Sequence, residues 1–210
     1  MKRLDELMLE KIYLVDTNEK LVKLWKFFFK DYSENVEVIH GDYFKTPTDA
    51  IVSPANCFGF MDGGIDKAIR DIIPGVEQKV QETIFKYHHG ELPVGRVEIV
   101  PTDNSIWPYL VVAPTMRIPQ SIEYTDIPYQ VFRSILLEIE RHNEVGAYKG
   151  VDFQKEINTL VCCGLGTGVG RMDPYFCAIQ MYRAYQQILG NGKPASFYEI
   201  INQHKSMIRM

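Results

Sequence analysis

No stretch of this 210-residue chain approaches membrane-spanning length. Its opening, M-K-R-L-D-E-L-M-L-E-K, sets Asp5, Glu6 and Glu10 among the leucines, which breaks the apolar run that a secretory signal requires. A basic excess is also missing. Lys and Arg number 23 against 27 Asp and Glu, a formal charge of −4, which gives no electrostatic argument for a nucleic-acid or membrane-surface role and leaves only a local basic patch open. The four cysteines, Cys57, Cys162, Cys163 and Cys177, show no C-x-x-C spacing, and the adjacent pair closes only a strained ring. They read as reduced thiols of a cytoplasmic protein. With the His88-His89 pair they lack the ligand spacing of a zinc centre, so no metal is expected. Internal repeats, low-complexity tracts and interdomain linkers are absent as well.

What remains is a chain with 46% apolar residues, enough for one core. A single domain over residues 1–210 is expected, with a core at about 11–189 and a C-terminal extension at 190–210. Short apolar runs alternate with longer amphipathic ones. Strands are predicted at 11–15 (K-I-Y-L-V), 36–40, 50–53, 96–101, 109–113 and 159–163. Helices are predicted at 19–31, from Ile65 or Asp66 to before Pro74, at 76–87, 129–143 and 173–189, with a short one near the C-terminus. This alternation argues for an α/β fold, a three-layer α/β/α sandwich on a mixed, mainly parallel sheet. Ligands of such sheets bind beyond the carboxyl ends of the strands.

Two glycine loops leave strands at that edge. The first lies within residues 51–69, I-V-S-P-A-N-C-F-G-F-M-D-G-G-I-D-K-A-I, and holds Gly59, Gly63 and Gly64; the second, G-L-G-T-G-V-G, spans 164–170. Glycines let the main chain approach a ligand closely, so that successive N–H groups point at one anion. Lys and Arg are absent from residues 51–64, and Arg171 only follows the second loop. A diphosphate suits such a clamp, because its spread charge needs neutral donors more than lysines. Turn glycines in ordinary β-α connections are the plainer reading of either loop alone. The second loop lacks the Lys-[Ser/Thr] of a phosphate-gripping Walker loop, and without a complete β-α-β unit after it, it is a poor dinucleotide fingerprint. Asp66, near a helix start, is expected to be kept ionised by the helix dipole and so to suit water orientation or base work, or else to be a plain N-cap. Asn56 can both donate and accept, which matches a pair of ribose hydroxyls.

Four patches carry a specific resemblance: G-D-Y at 41–43, D-A-I-V-S-P-A-N at 49–56, D-G-G-I-D at 62–66, and the strand and loop ending in G-L-G-T-G at 168. In this order they resemble the macro domain, the ADP-ribose-binding α/β/α module, whose corresponding motifs run G-D-[I/L]-T, I-V-N-A-A-N and G-G-G-[V/I]-D. The resemblance implies ADP-ribose or an ADP-ribosylated substrate as partner and no cofactor. It assigns Asp42 to the adenine amino group with the Tyr43 backbone beside it, Asn56 to the distal ribose, and Ala55 to the ligand-binding residues. Gly63, Gly64 and Ile65 become the first phosphate loop, and Gly164, Leu165, Gly166, Thr167, Gly168 and Val169 the second. Asn56 and Asp66 are then the catalytic pair of the hydrolytic branch, with Asp66 on the water. Departures are visible: S-P-A-N drops one Asn, only two glycines follow Asp62, Thr167 stands near the place of an aromatic, and no final strand supplies an adenine-stacking ring, for which Phe197 and Tyr198 are candidates.

Two functions of different class follow. One is hydrolysis of an ADP-ribosyl linkage, either mono-ADP-ribose on protein or a phosphate or acetyl ester of ADP-ribose. The other is a non-catalytic ADP-ribose or nucleotide reader. A thiol enzyme using Cys57 or Cys163 is a third, weaker reading, since a reactive thiol needs a neighbouring base or positive charge. The aromatic run Trp25, Phe27, Phe28 and Phe29 reads as a core-facing helix.

Overall fold

The computed structural model describes residues 9–148, 156–190 and 196–208. Six strands, β1 (Lys11–Asp16), β2 (Val36–His40), β3 (Ala50–Ser53), β4 (Glu98–Pro101), β5 (Tyr109–Val112) and β6 (Thr159–Cys162), form one sheet in the order β2-β1-β6-β3-β5-β4. Every pairing is parallel except β4 with β5. β3 and β5 are buried at all four positions, as the continuous apolar runs A-I-V-S and Y-L-V-V require of strands covered on both faces.

Helices cover both faces. α1 (Glu19–Phe28), α4 (Ile127–Tyr148) and α5 (Pro174–Ile188) pack on one side, where Leu21, Trp25, Phe132, Ile135, Met181 and Tyr185 join Ile12, Leu14, Val52 and Leu160. α2 (Gly64–Ile72) and α3 (Val76–His88) cover the other, with Ile69, Val76, Val80 and Ile84 against Val15, Ile51, Leu110 and Val161. This is the expected three-layer sandwich. α6 (Phe197–Met207) seats Met207 beside α5, where Gln180 Nε2 donates to the Met207 carbonyl. No helix among the described residues is long and apolar enough to cross a membrane.

Local chemistry explains where the elements begin and end. Asn18 caps α1 by accepting the Leu21 N–H, and Asp173 caps α5, with Pro174 in its first turn. α1 stops at Phe28 and gives way to a 3-10 turn at Lys30–Tyr32, so the predicted helix to 31 is two short pieces. α2 starts at Gly64, earlier than expected, because a glycine tolerates the positive φ of 57° found there. At the amino end of the sheet Asp49 staples β3 to β6, its Oδ2 accepting from Asn158 N, Thr159 N and Thr159 Oγ1 at 3.1, 2.9 and 2.8 Å.

The same two strands part at their carboxyl ends. Their pairing covers only Ala50↔Leu160 and Ile51↔Val161, and Tyr43 occupies the widening gap. Its hydroxyl lies 2.8 Å from the Val52 carbonyl and 2.9 Å from the Val161 carbonyl, and accepts the Val52 N–H at 3.0 Å. Burial pushes its pKa well up, so the phenol stays protonated and able to donate. Tyr43→Phe keeps the ring but orphans buried backbone groups; it is expected to cost about 1–3 kcal/mol, read from the urea midpoint. An unchanged midpoint would show that the hydroxyl does not support the divergence.

Candidate functional site

β6 and β3 are neighbours whose following helices leave for opposite faces, α5 to one and α2 to the other. A crevice must open where the chain reverses direction in this way. It holds a cavity of about 580 Å³, walled by both glycine loops, by the end of β1 and by the segment after β5.

Of the expected site residues, Ala55, Asn56, Gly63, Gly64, Ile65 and Asp66 line it from the first loop, and Gly164, Gly166, Thr167, Gly168 and Val169 from the second. Asp42, Tyr43 and Leu165 are not in its lining. Asp42 is exposed and caps the turn Tyr43–Lys45 by accepting the Phe44 N–H; Tyr43 is the plug just described; Leu165 is fully buried in the core. Phe197 and Tyr198 are also elsewhere, 74% and 71% exposed on α6, so they offer no ring to this cavity. Its aromatic surface comes from Phe58 and Phe60 of the first loop.

Asp66 sits in the first turn of α2. The helix N-cap is Gly63, with no side-chain cap, which leaves backbone donors at its N-terminus available to an anion. The plain N-cap reading of Asp66 therefore fails. Ser53 Oγ donates to Asp66 Oδ1 at 2.6 Å from the buried end of β3. Burial raises the Asp66 pKa from 3.8 to about 6, while the Ser53 hydrogen bond pulls the other way. The dipole was expected to hold this carboxylate low; desolvation outweighs it. The group is still ionised at neutral pH, but poised closer to it.

Asn56 is less free than its sequence position suggests. Its Oδ1 accepts the N–H groups of Phe58 and Phe60 at 3.0 and 3.4 Å, and its Nδ2 donates to the Phe60 carbonyl at 2.7 Å. Both oxygen lone pairs are used, so only one amide hydrogen remains. Expected to donate and accept at a ribose, Asn56 is left able only to donate.

Tight chain crossings shape the second loop. Gly164 donates its N–H to Asp16 Oδ2 at 3.1 Å, and the Gly166 carbonyl accepts the Met172 N–H at 3.0 Å. Gly166 has a φ of +71° and packs against Ile122, where a Cβ would overlap the Ile122 side chain. Thr167 Oγ1 donates to the Gly164 carbonyl at 3.2 Å.

Sequence reasoning missed several lining residues. Asp16 closes β1, which lies inside the sheet, between β2 and β6. The run K-I-Y-L-V-D before a capped helix follows the same strand-loop-helix grammar as the other two loops, and that was the available signal. The segment after β5, which lies in none of the predicted elements, brings Thr115, Met116 and Arg117 to the cavity, with Met116 in a β-bridge to Asn56. The Arg117 guanidinium stacks on Phe58 at 5.1 Å and grips Glu91 through two bonds of 2.8 and 3.0 Å.

A thiol centre is overturned. All four cysteines are buried and unbridged, and burial raises the pKa of Cys57, Cys162, Cys163 and Cys177. Groups of His, Cys, Asp and Glu able to hold a metal are absent among the described residues.

An α/β/α sandwich with a cavity between two glycine loops at its switch point is the class that fold and site define. The Macro domain family model matches residues 52–181, and the chain belongs to that family. Solved structures agree on the fold. The macrodomain of Mycobacterium tuberculosis DarG is 21% identical with a TM-score of 0.56, over 71% of this chain and 89% of that one. The Oceanobacillus iheyensis macrodomain with ADP is 16% identical with a TM-score of 0.57, over 80% and 86%. Thermosipho africanus DarTG in complex with ADP-ribose is 15% identical with a TM-score of 0.55, over 85% of this chain and 50% of that one. No curated protein matches by sequence.

Proposed function

We propose that the cavity binds ADP-ribose and that the protein hydrolyses an ADP-ribosyl linkage there. The observation that carries this reading is Asp66: a half-buried carboxylate of raised pKa, held by Ser53 beside an uncapped helix N-terminus, in a cavity walled by two glycine loops. A structural cap has no need of such a setting; a group that orients and deprotonates water does. Two solved structures of similar fold carry ADP or ADP-ribose, which supports a nucleotide diphosphate as ligand.

In this reading the diphosphate rests on the N-terminus of α2 and on the backbone from Gly164 to Val169. The distal ribose meets the remaining amide hydrogen of Asn56, and Asp66 faces the anomeric carbon. The adenine extends to exposed Asp42, whose neighbour Gly41 donates its N–H to the carbonyl of cavity-lining Asp16 at 3.1 Å. Water oxygen bonds to the anomeric carbon as the bond to the carried group breaks. The water proton passes to Asp66 and then to the leaving oxygen.

Thermal unfolding tests binding first. ADP-ribose at a hundredfold excess over Kd is expected to raise Tm by roughly 5–10 °C through preferential binding to the folded state. No shift at millimolar ligand, with ATP and NAD also silent, sinks the assignment. A second reading, a reader without turnover, is favoured by the saturated Oδ1 of Asn56 and the missing aromatic of the second loop. Single-turnover release of ADP-ribose from a modified protein decides between the two.

A further inference from the structure

The charges around the cavity narrow what its ligand can carry at the far end, given the binding reading above. Three carboxylates line it. Asp16 is satisfied on both oxygens, by Asn18 N at 2.8 Å and Gly164 N at 3.1 Å, and exposed Asp62 pairs with Arg70 at 3.1 Å. Asp66 bonds the neutral Ser53 hydroxyl, and among the described residues no ion pair reaches it. Among the described residues Arg117 is the one basic side chain in the lining, and Glu91 already holds its guanidinium by two bonds.

A diphosphate fits this balance because backbone N–H groups can neutralise it. A second phosphate does not. A phosphomonoester carries about −1.5 to −2 charges near neutral pH and prefers charge-assisted partners. Placed on the distal ribose, it would face Asp66, whose hydrogen-bond partner is a neutral hydroxyl, in a half-buried setting where water screens little. From this we infer that the cavity selects ADP-ribose whose distal ribose is free or linked to an uncharged group, and discriminates against a phosphomonoester there. Glu91 acts with Asp66 as a specificity determinant: it stands outside the lining and withholds Arg117, the cation that the described lining could offer a second phosphate.

The test compares Kd for ADP-ribose with Kd for ADP-ribose phosphorylated on the distal ribose. Wild type at about pH 7.5 is expected to favour ADP-ribose by about tenfold or more, since like-charge juxtaposition is strongly penalised. Asp66→Asn, which removes the repelling charge, and Glu91→Gln, which releases Arg117, should each narrow that ratio at the same pH. A general packing defect weakens both ligands and leaves the ratio alone. Equal or tighter binding of the phosphorylated ligand by wild type overturns the inference, as does a ratio that neither substitution moves. Failure of wild type to bind either ligand overturns the ADP-ribose assignment itself.

Discussion

Asp66→Asn is expected to make the protein more stable at neutral pH and, in the hydrolytic reading, slow release of ADP-ribose by about a hundredfold or more. Both effects come from one desolvated carboxylate. Its pKa rises from 3.8 in the ordinary state to about 6 in the folded one, chiefly through burial. Below about pH 4 both states hold the proton. Between about 4 and 6 the native state alone holds it, so stability falls as pH rises through that window. Above it the folded protein carries an ionised buried group at a cost of at most about 3 kcal/mol, the equivalent of the two-unit shift. Asn keeps the shape, and its Oδ1 still accepts from Ser53, yet it has no charge to desolvate. The variant should gain about 1–3 kcal/mol at about pH 7.5 and nothing near pH 4, measured by urea unfolding at both. A variant less stable than wild type at neutral pH would show that the carboxylate is better solvated than its surroundings imply. Turnover that survives the substitution would remove Asp66 from the water-orienting role.

That Asp66 would stand at the start of a helix beside the glycines was readable from the chain; how it is held was not. The apolar run 50–53, the paired glycines and the acid after them place a carboxylate in the first turn of a helix at a sheet edge by local rules alone. Ser53 is thirteen positions earlier, and only the strand-to-helix return brings its hydroxyl to Oδ1. Local signals were blind in the same way to Asp16, whose place beside the second loop depends on β1 entering between β2 and β6, a pairing between residues about 148 apart. Asn56 shows the reverse case. Its type was read as ribose-binding, but an Asx side chain also competes for nearby backbone N–H groups, and here the loop claims most of it. Asp42 caps its own turn by the same competition. Phe197 and Tyr198 were singled out for their ring type alone, which says nothing of which end of the sandwich a C-terminal helix will reach.

Gly166→Ala is expected to weaken ADP-ribose binding by about tenfold or more while leaving a cooperatively folded protein, a loss of about 1.4 kcal/mol or more. Two separable costs meet at this residue. Its φ of +71° lies in the left-handed region, where a side chain costs about 1 kcal/mol or more, and the added Cβ would overlap Ile122 Cδ1. Gly166 also accepts the Met172 N–H, while its neighbour Gly170 accepts the Ile122 N–H, so neither side of the contact moves without disturbing the loop's own hydrogen bonds. Relief must come from the second loop itself. Ile122→Val deletes the overlapping Cδ1 and nothing else, so the double variant Gly166→Ala with Ile122→Val should recover part of the affinity and retain the backbone strain. Calorimetric titration of the two single variants and the double gives the coupling directly. Full wild-type affinity in Gly166→Ala would mean that the second loop does not close on the ligand. No recovery in the double variant would assign the loss to the left-handed backbone alone.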